Sequence, residues 1–203
     1  MTGSGWRGRL LLPPGWVTLP ADDPLRARQA VSRLLGRQLG HLPRDRTAMA
    51  RRVLSRELLG QLAEARRAGA TEVHTLVQLM RNLPVTAGLT VVPLPASDAG
   101  SALLPLLAGV FNSAEGVVAT ELTRVADLPA LRRRRRVVVP VEEGRPSAQE
   151  LWRTHVDWVV TLPDGDYLVL AFSTQTDPIA EELTALFDAI AASLELVLAP
   201  PPG

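Results

Sequence analysis

The sequence predicts an α+β fold, a twisted antiparallel sheet flanked by helices. The first observation is the closing quarter, where Arg153 to Leu162 and Asp166 to Thr174 read as two strands joined by Pro163-Asp164-Gly165. A helix follows, starting at Asp177-Pro178 and running to about Leu196. The second is the spread of further strand-like segments between helices, which suits an antiparallel sheet with helices packed on it. The third is an absence in the sequence: no strand runs into a helix through the glycine-rich turn that dinucleotide and phosphate sites need.

Residues 1–14 read as a flexible lead-in, 15–198 as one α+β domain, and 199–203 as a disordered proline-rich tail. Trp16 to Pro20 reads as a short extended segment. Asp22-Asp23-Pro24 then starts a helix, with carboxylates at the positive end of the dipole and proline where its missing N–H costs nothing. Ala27, Val31, Leu34, Leu35 and Leu39 recur at helical spacing until Gly40 and Pro43. A second helix begins near Asp45, carries Met49, Val53, Leu54, Leu58, Leu62 and Ala65 on one broad side, and stops at Gly69. Its arginine-rich side reads as a solvated face.

Glu72 to Met80 and Leu89 to Leu94 read as strands, with Asn82-Leu83-Pro84 and Ala87-Gly88 as turn material between them. Ala99 to Phe111 reads as a short helix, with Pro105 tolerated only in its first turn. Gly116 to Val125 and Arg133 to Val141 form a second hairpin around Asp127-Leu128-Pro129. In the last hairpin Val156, Trp158, Val160 and Leu162 alternate with His155, Asp157, Val159 and Thr161, the period of a strand with one buried face. Ile179, Leu183, Leu186, Phe187, Ile190 and Leu194 then form one helical stripe that must lie on the sheet.

Composition narrows the chemistry. The chain is 203 residues long and 46% hydrophobic, enough for a sizeable core without staples. There is no cysteine, which removes disulfides, thiolate metal sites and cysteine nucleophiles together. The net charge of +1 predicts no general attraction to nucleic acid or membranes. All 22 basic residues are arginine, a bias of GC-rich bacterial genomes. Leu10, Leu11 and Leu12 are too short an apolar stretch for a secretory signal, and Ala102 to Phe111 is too short for a membrane span. The expectation is a soluble, cytoplasmic protein.

No residue constellation stands out as catalytic. His41, His74 and His155 share no metal-ligand spacing. Asp164 and Asp166 flank Gly165 as ordinary turn residues, Glu181-Glu182 suits a helix first turn, and Glu142-Glu143 reads as loop. Ser173 has no histidine close in sequence, so an acyl-transfer site would have to assemble in space from His155, Asp157 and Ser173. The conspicuous feature is the run Arg132, Arg133, Arg134, Arg135 and Arg136. Alternation puts charge on both faces of that strand, which predicts an exposed end or a sheet edge, where charge deters aggregation. Trp152 and Trp158 differ by an even number and so share a face.

Several segments together resemble a known group. They are Gly15-Trp16-Val17-Thr18-Leu19-Pro20, Ala65-Arg66-Arg67-Ala68-Gly69-Ala70, the stretch Leu162 to Thr174, and Leu186-Phe187-Asp188-Ala189-Ile190-Ala191. They resemble uncharacterised actinobacterial proteins of PsbP-like fold that occur alongside type VII secretion components. The resemblance implies a small accessory domain that binds another protein, and it transfers no site residue and no cofactor. The expected function is therefore a non-catalytic protein-binding module. Its acidic partner would be met through Arg132 to Arg136 or through the sheet face opposite the helices. The alternatives are an enzyme with a shallow, spatially assembled site, and a binder of anionic polymers or lipids through the arginine run.

Overall fold

The computed structural model describes residues 5–21, 23–39, 44–80, 83–96, 102–139 and 151–198. The expectations placed on His41, Asn82, Glu142-Glu143 and the tail at 199–203 fall outside these. In chain order the elements are β1 (Trp6–Arg9), β2 (Trp16–Pro20), α1 (Pro24–Leu39), α2 (Arg44–Arg67), β3 (Glu72–Met80) and β4 (Leu83–Leu94). Then come α3 (Leu103–Asn112), β5 (Val117–Val125), β6 (Leu128–Val139), β7 (Leu151–Thr161), β8 (Tyr167–Thr174), α4 (Ala180–Ala192) and β9 (Glu195–Leu198). A 3-10 turn, Asp177–Ile179, leads into α4.

Seven strands form one antiparallel sheet in the order β2-β3-β4-β8-β7-β6-β5, and β1 pairs with β9 in a separate two-stranded ribbon. This is the twisted antiparallel α+β architecture that the sequence predicts. Local chemistry explains most boundaries. Asp23 Oδ1 accepts from the backbone N–H of Leu25 at 2.8 Å and of Arg26 at 3.1 Å, capping α1 as the sequence implies. Gly69 ends α2 in the left-handed region, at φ 80°, while Ala70 N–H donates to Ala65 O at 2.9 Å. Pro105 falls in the first turn of α3, where it removes no helical hydrogen bond.

Four expectations need correction. Residues 1–14 are not a free lead-in throughout: Trp6–Arg9 pairs with Glu195–Leu198, a contact too distant in sequence to leave a local pattern. Gly8 lets this ribbon lie directly on the core, since a Cβ there would come within 2.6 Å of Leu168. Correspondingly, α4 stops at Ala192 rather than near Leu196, and the residues after it turn into β9. Ala87-Gly88 is not a turn but the middle of a twelve-residue β4, held between Leu76 and Thr75 on one side and Thr174 and Ser173 on the other. Finally, the hairpin between β5 and β6 turns at Ala126-Asp127, both at positive φ (48° and 63°). This is a two-residue turn that matches the sheet twist, and Leu128-Pro129 already opens β6.

The sheet is buried on both faces. On one, α4 and the β1–β9 ribbon cover Leu89, Val156, Trp158, Val160, Leu170 and Phe172, with Phe187 stacked on Phe172 at 5.0 Å between ring centres. On the other, α1 and the C-terminal half of α2 seal Leu19 and Val73, while α3 seals Leu131, Val159 and Tyr167. Met49, on the apolar side of α2, is 72% exposed. No sheet face lies opposite the helices, which corrects the expectation that such a face is free.

Candidate functional site

β6 is an interior strand, second from the end of the sheet, and not the edge that the arginine run suggests. Alternation divides the run between two faces. Arg132, Arg134 and Arg136 point towards α4 and meet acids of that helix and of the 3-10 turn before it. Arg132 donates to both carboxylate oxygens of Asp188, at 2.9 and 2.8 Å. Arg134 donates to Glu181, with Nη1 to Oε2 at 2.9 Å, and Arg136 to Asp177 at 2.8 and 3.0 Å. Arg132 and Arg136 also lie over the rings of Trp158 and Trp152, at 5.8 and 4.5 Å from the ring centres. Both tryptophans share this face, as their spacing implies.

The Glu181 carboxyl is held below its ordinary range by the Arg134 hydrogen bond, and the Arg134 guanidinium is raised by the same contact. These three arginines therefore fasten α4 onto the sheet. The matching acids, Glu181 and Asp188 on α4 and Asp177 in the 3-10 turn before it, lie opposite alternate arginines. That complementarity is the sequence signal which could have revealed the pairing.

Arg133 and Arg135 point to the opposite face. Arg133 donates from Nε and Nη2 to Asp157 Oδ2, at 3.0 and 2.6 Å, and its guanidinium lies 3.8 Å from the ring centre of Phe111 on α3. Arg135 has no carboxylate partner among the described residues, and its Nε is buried without a hydrogen bond. Four of the five arginines of the run are thus committed within the fold. One is not.

The surroundings of Arg135 form a shallow trough. On this face α1 and α2 lie over the β2–β3 end and α3 over β5 and β6. Between them the register places Arg135 beside His155, His155 beside Ser173, and Ser173 beside Gly88, one residue from each of β6, β7, β8 and β4. Ala171 and Thr90 continue the floor one step along, and all of these residues except Asp157 at its margin are half-buried. Small side chains keep the floor low. Against α2 it deepens into a cavity of about 70 Å³ lined by Leu58, Gln61, Leu62, Thr75 and Ser173. Arg153 stands on the same face beyond His155, and the Gln175 amide, oriented with its oxygen towards Arg153, accepts from the guanidinium.

His155 sits among these cations. Burial first, then Arg135, with Arg153 and Arg133 adding and Asp157 opposing, lowers its pKa from 6.5 to about 4. The imidazole is neutral near pH 7. Because the unfolded chain takes up this proton from about pH 6.5 downward and the folded chain does not until about 4, acid favours unfolding across that window. The contribution is fully present above pH 6.5 and lost as pH falls to about 4. With partial exposure discounted, it is on the order of 1–2 kcal/mol. His74, on the other face and buried, is also lowered, by burial against the opposing pull of Glu72, and adds with the same sign. Urea unfolding of the protein and of His155→Gln, compared near neutral and mildly acid pH, checks this: the variant is expected to show the shallower decline.

His155, Asp157 and Ser173, the residues from which a catalytic site would assemble, do share the trough face. Among the described residues no hydrogen bond joins His155 to either of the others, and Asp157 is engaged by Arg133. Nor does any group of three or more potential metal ligands come together among the described residues. His74 is held by Thr18 Oγ1 at 3.0 Å and Glu72 at 3.1 Å, on the α4 face of the sheet. No described helix is long and apolar enough to cross a membrane.

The molecule is, by class, an α+β domain with an antiparallel sheet covered on both faces and a cationic trough between its helices. No protein-family model matches the chain, and no curated protein does. Among solved structures it is similar to LpqN of Mycobacterium tuberculosis, involved in cell envelope biogenesis, with 14% identity and a TM-score of 0.48 over 98% of this chain and 86% of that one. It is also similar to the PsbP of the cyanobacterium Synechocystis sp. PCC 6803, with 12% identity and a TM-score of 0.43 over 95% of this chain and 93% of that one. Likeness at this level carries no argument about function, which has to come from the site.

Proposed function

We propose that this protein is a non-catalytic binding module whose trough receives an acidic segment of another protein. The observation that carries the reading is Arg135. It alone in the arginine run has no carboxylate partner among the described residues, and it lies beside a neutral His155, near Arg153, over a floor of small residues. A carboxylate arriving there satisfies a buried donor and gains charge-assisted hydrogen bonds. The four committed arginines weaken the alternative in which the whole run grips an anionic polymer or lipid.

A glutamate-rich peptide titrated against the protein tests this. Arg135→Ala and Arg153→Ala are each expected to weaken binding about tenfold or more, while the exposed helix variants Arg52→Ala and Arg66→Ala leave it unchanged. Binding should also raise the pKa of His155, since an anion offsets the guanidiniums that lower it. Equal losses in all four variants, or an unmoved His155, would sink the proposal. A setting beside type VII secretion components is supported by the sequence resemblance, and native co-purification with such components tests it.

A second reading, a hydrolase, draws on the shared face of His155, Asp157 and Ser173. It requires ester turnover that disappears in Ser173→Ala.

A further inference from the structure

The opposite end of the sheet carries a different kind of surface. β5 is the outermost strand, and its outer backbone edge has no partner strand among the described residues. The other sheet edge, β2, is managed in the usual ways, being five residues long, ending in Pro20 and packed by α1. β5 is nine residues long and has neither proline nor lysine. A bulge near Val118 interrupts its pairing, but from Ala119 to Val125 the ladder is regular. Of its two charged residues in that stretch, Arg124 is turned back onto the carbonyl of Asp127 in its own hairpin.

Beside this edge lies α3, whose sequence Leu-Leu-Pro-Leu-Leu-Ala-Gly-Val-Phe-Asn contains no charge. Its inner side seals the sheet, yet Leu106 and Val110, one turn apart, are 59% and 63% exposed, and on β5 Val118 and Leu122 are 58% and 57% exposed. An open concavity of about 370 Å³ lies alongside, lined by Leu104, Pro105, Leu122, Thr123, Arg124 and Pro129 among others. Among the described residues an unpaired strand edge and an aliphatic helix side thus sit together, and the two charges beside them, Glu121 and Arg124, are one of each sign.

We propose that β5 pairs antiparallel with β5 of a second copy of this chain about a two-fold axis perpendicular to the sheet. Such an isologous contact requires each surface to accept what it presents, and this one does: a free edge meets a free edge and α3 comes beside α3. The two-fold sets the register. Same-face side chains meet only when a residue opposes one of like parity, and centring on Glu121 would oppose two carboxylates, a destabilising pair. The regular segment Ala119 to Val125 has its midpoint at Leu122. Centring there opposes Leu122 to itself, Glu121 to Thr123, Thr120 to Arg124 and Ala119 to Val125. The result is one continuous sheet across two copies with Leu106 and Val110 of both flanking the join.

The absence of any cysteine gives a direct test. In Leu122→Cys the only thiols of a dimer face each other across a non-covalent join, within the range of a disulfide, so mild oxidation should yield a covalent pair. Exposed Val197→Cys, on the distant ribbon, should not. In light scattering after gel filtration the unmodified chain should have twice the mass of one copy. Leu122→Arg and Val110→Glu should have the mass of one, each with unchanged circular dichroism because both side chains are exposed. A single-copy mass for the unmodified chain throughout its soluble range overturns the proposal, whether or not it then captures another protein. A dimer that survives both charge substitutions, or one that Leu122→Cys does not link, also overturns it. Acid-peptide binding in the trough is independent of each of these outcomes.

Discussion

Phe187→Ala is expected to destabilise the protein by about 3–5 kcal/mol, the largest effect of any single truncation of its core. Phe187 is fully buried at the centre of α4, stacked on Phe172 with the rings 19° from parallel. It is also the one large aromatic that α4 inserts between the strands and the ribbon. Truncation removes apolar contact, leaves a cavity that a stiff sheet cannot close, and forfeits the ring pair, itself worth about 0.5–1.5 kcal/mol. Since domains of this size have only about 5–15 kcal/mol in hand, the melting temperature should fall by on the order of 10 °C. Thermal and urea unfolding measure it, and a double-mutant cycle with Phe172→Leu separates the stacking from the cavity. A loss below about 1 kcal/mol would contradict the packing described.

The second large effect is expected at Asp157→Ala, at about 3–5 kcal/mol, the scale for breaking one half of a buried pair. Arg133 and Asp157 are only 15% and 10% exposed at their side chains, and two hydrogen bonds from the guanidinium converge on Asp157 Oδ2. Removing the acid leaves a guanidinium facing Phe111, whose ring compensates only part of the charge. Replacing both partners, as in Arg133→Met with Asp157→Leu, should cost much less than Asp157→Ala alone, because no charge is then stranded. Urea unfolding of the three variants decides this. If the double variant were the least stable, the pair would be a net source of stability rather than a dependency.

These two sites differ in how far the sequence announces them. The core around Phe187 was legible because its partners lie on short-range periods: Val156, Trp158 and Val160 alternate, and Leu183, Phe187 and Ile190 recur on a helical stripe. Both patterns follow from the geometry of one element. The ion pairs were not legible as pairs. Arg132 meets Asp188 at 56 positions' distance, Arg134 meets Glu181 at 47 and Arg136 meets Asp177 at 41. A run of cations looks solvated until the fold brings acids to it. Parity correctly put arginine on both faces of β6, but the inference to an edge assumed that neither face could be covered. Both are, one by acids and one in part by Asp157 and Phe111. The trough was half visible: Asp157 and Ser173 were singled out with His155 as residues that space could unite, while Arg135 became distinct from its neighbours only once their partners were known.

The β1–β9 ribbon has a consequence in time rather than in space. Leu11 N–H donates to Ser193 Oγ at 3.0 Å, joining positions 182 residues apart. Closing a flexible loop of that length costs about 4–5 kcal/mol of chain entropy, so the ribbon cannot nucleate the fold. It closes after the seven-stranded sheet has shortened the path between its halves, and it belongs to the least persistent layer of the native state. During synthesis, the face of the sheet bearing Leu168 waits uncovered until β9 has been made. β9, made after every strand of the sheet, acts as the latch on the part of that face which α4 leaves to the ribbon.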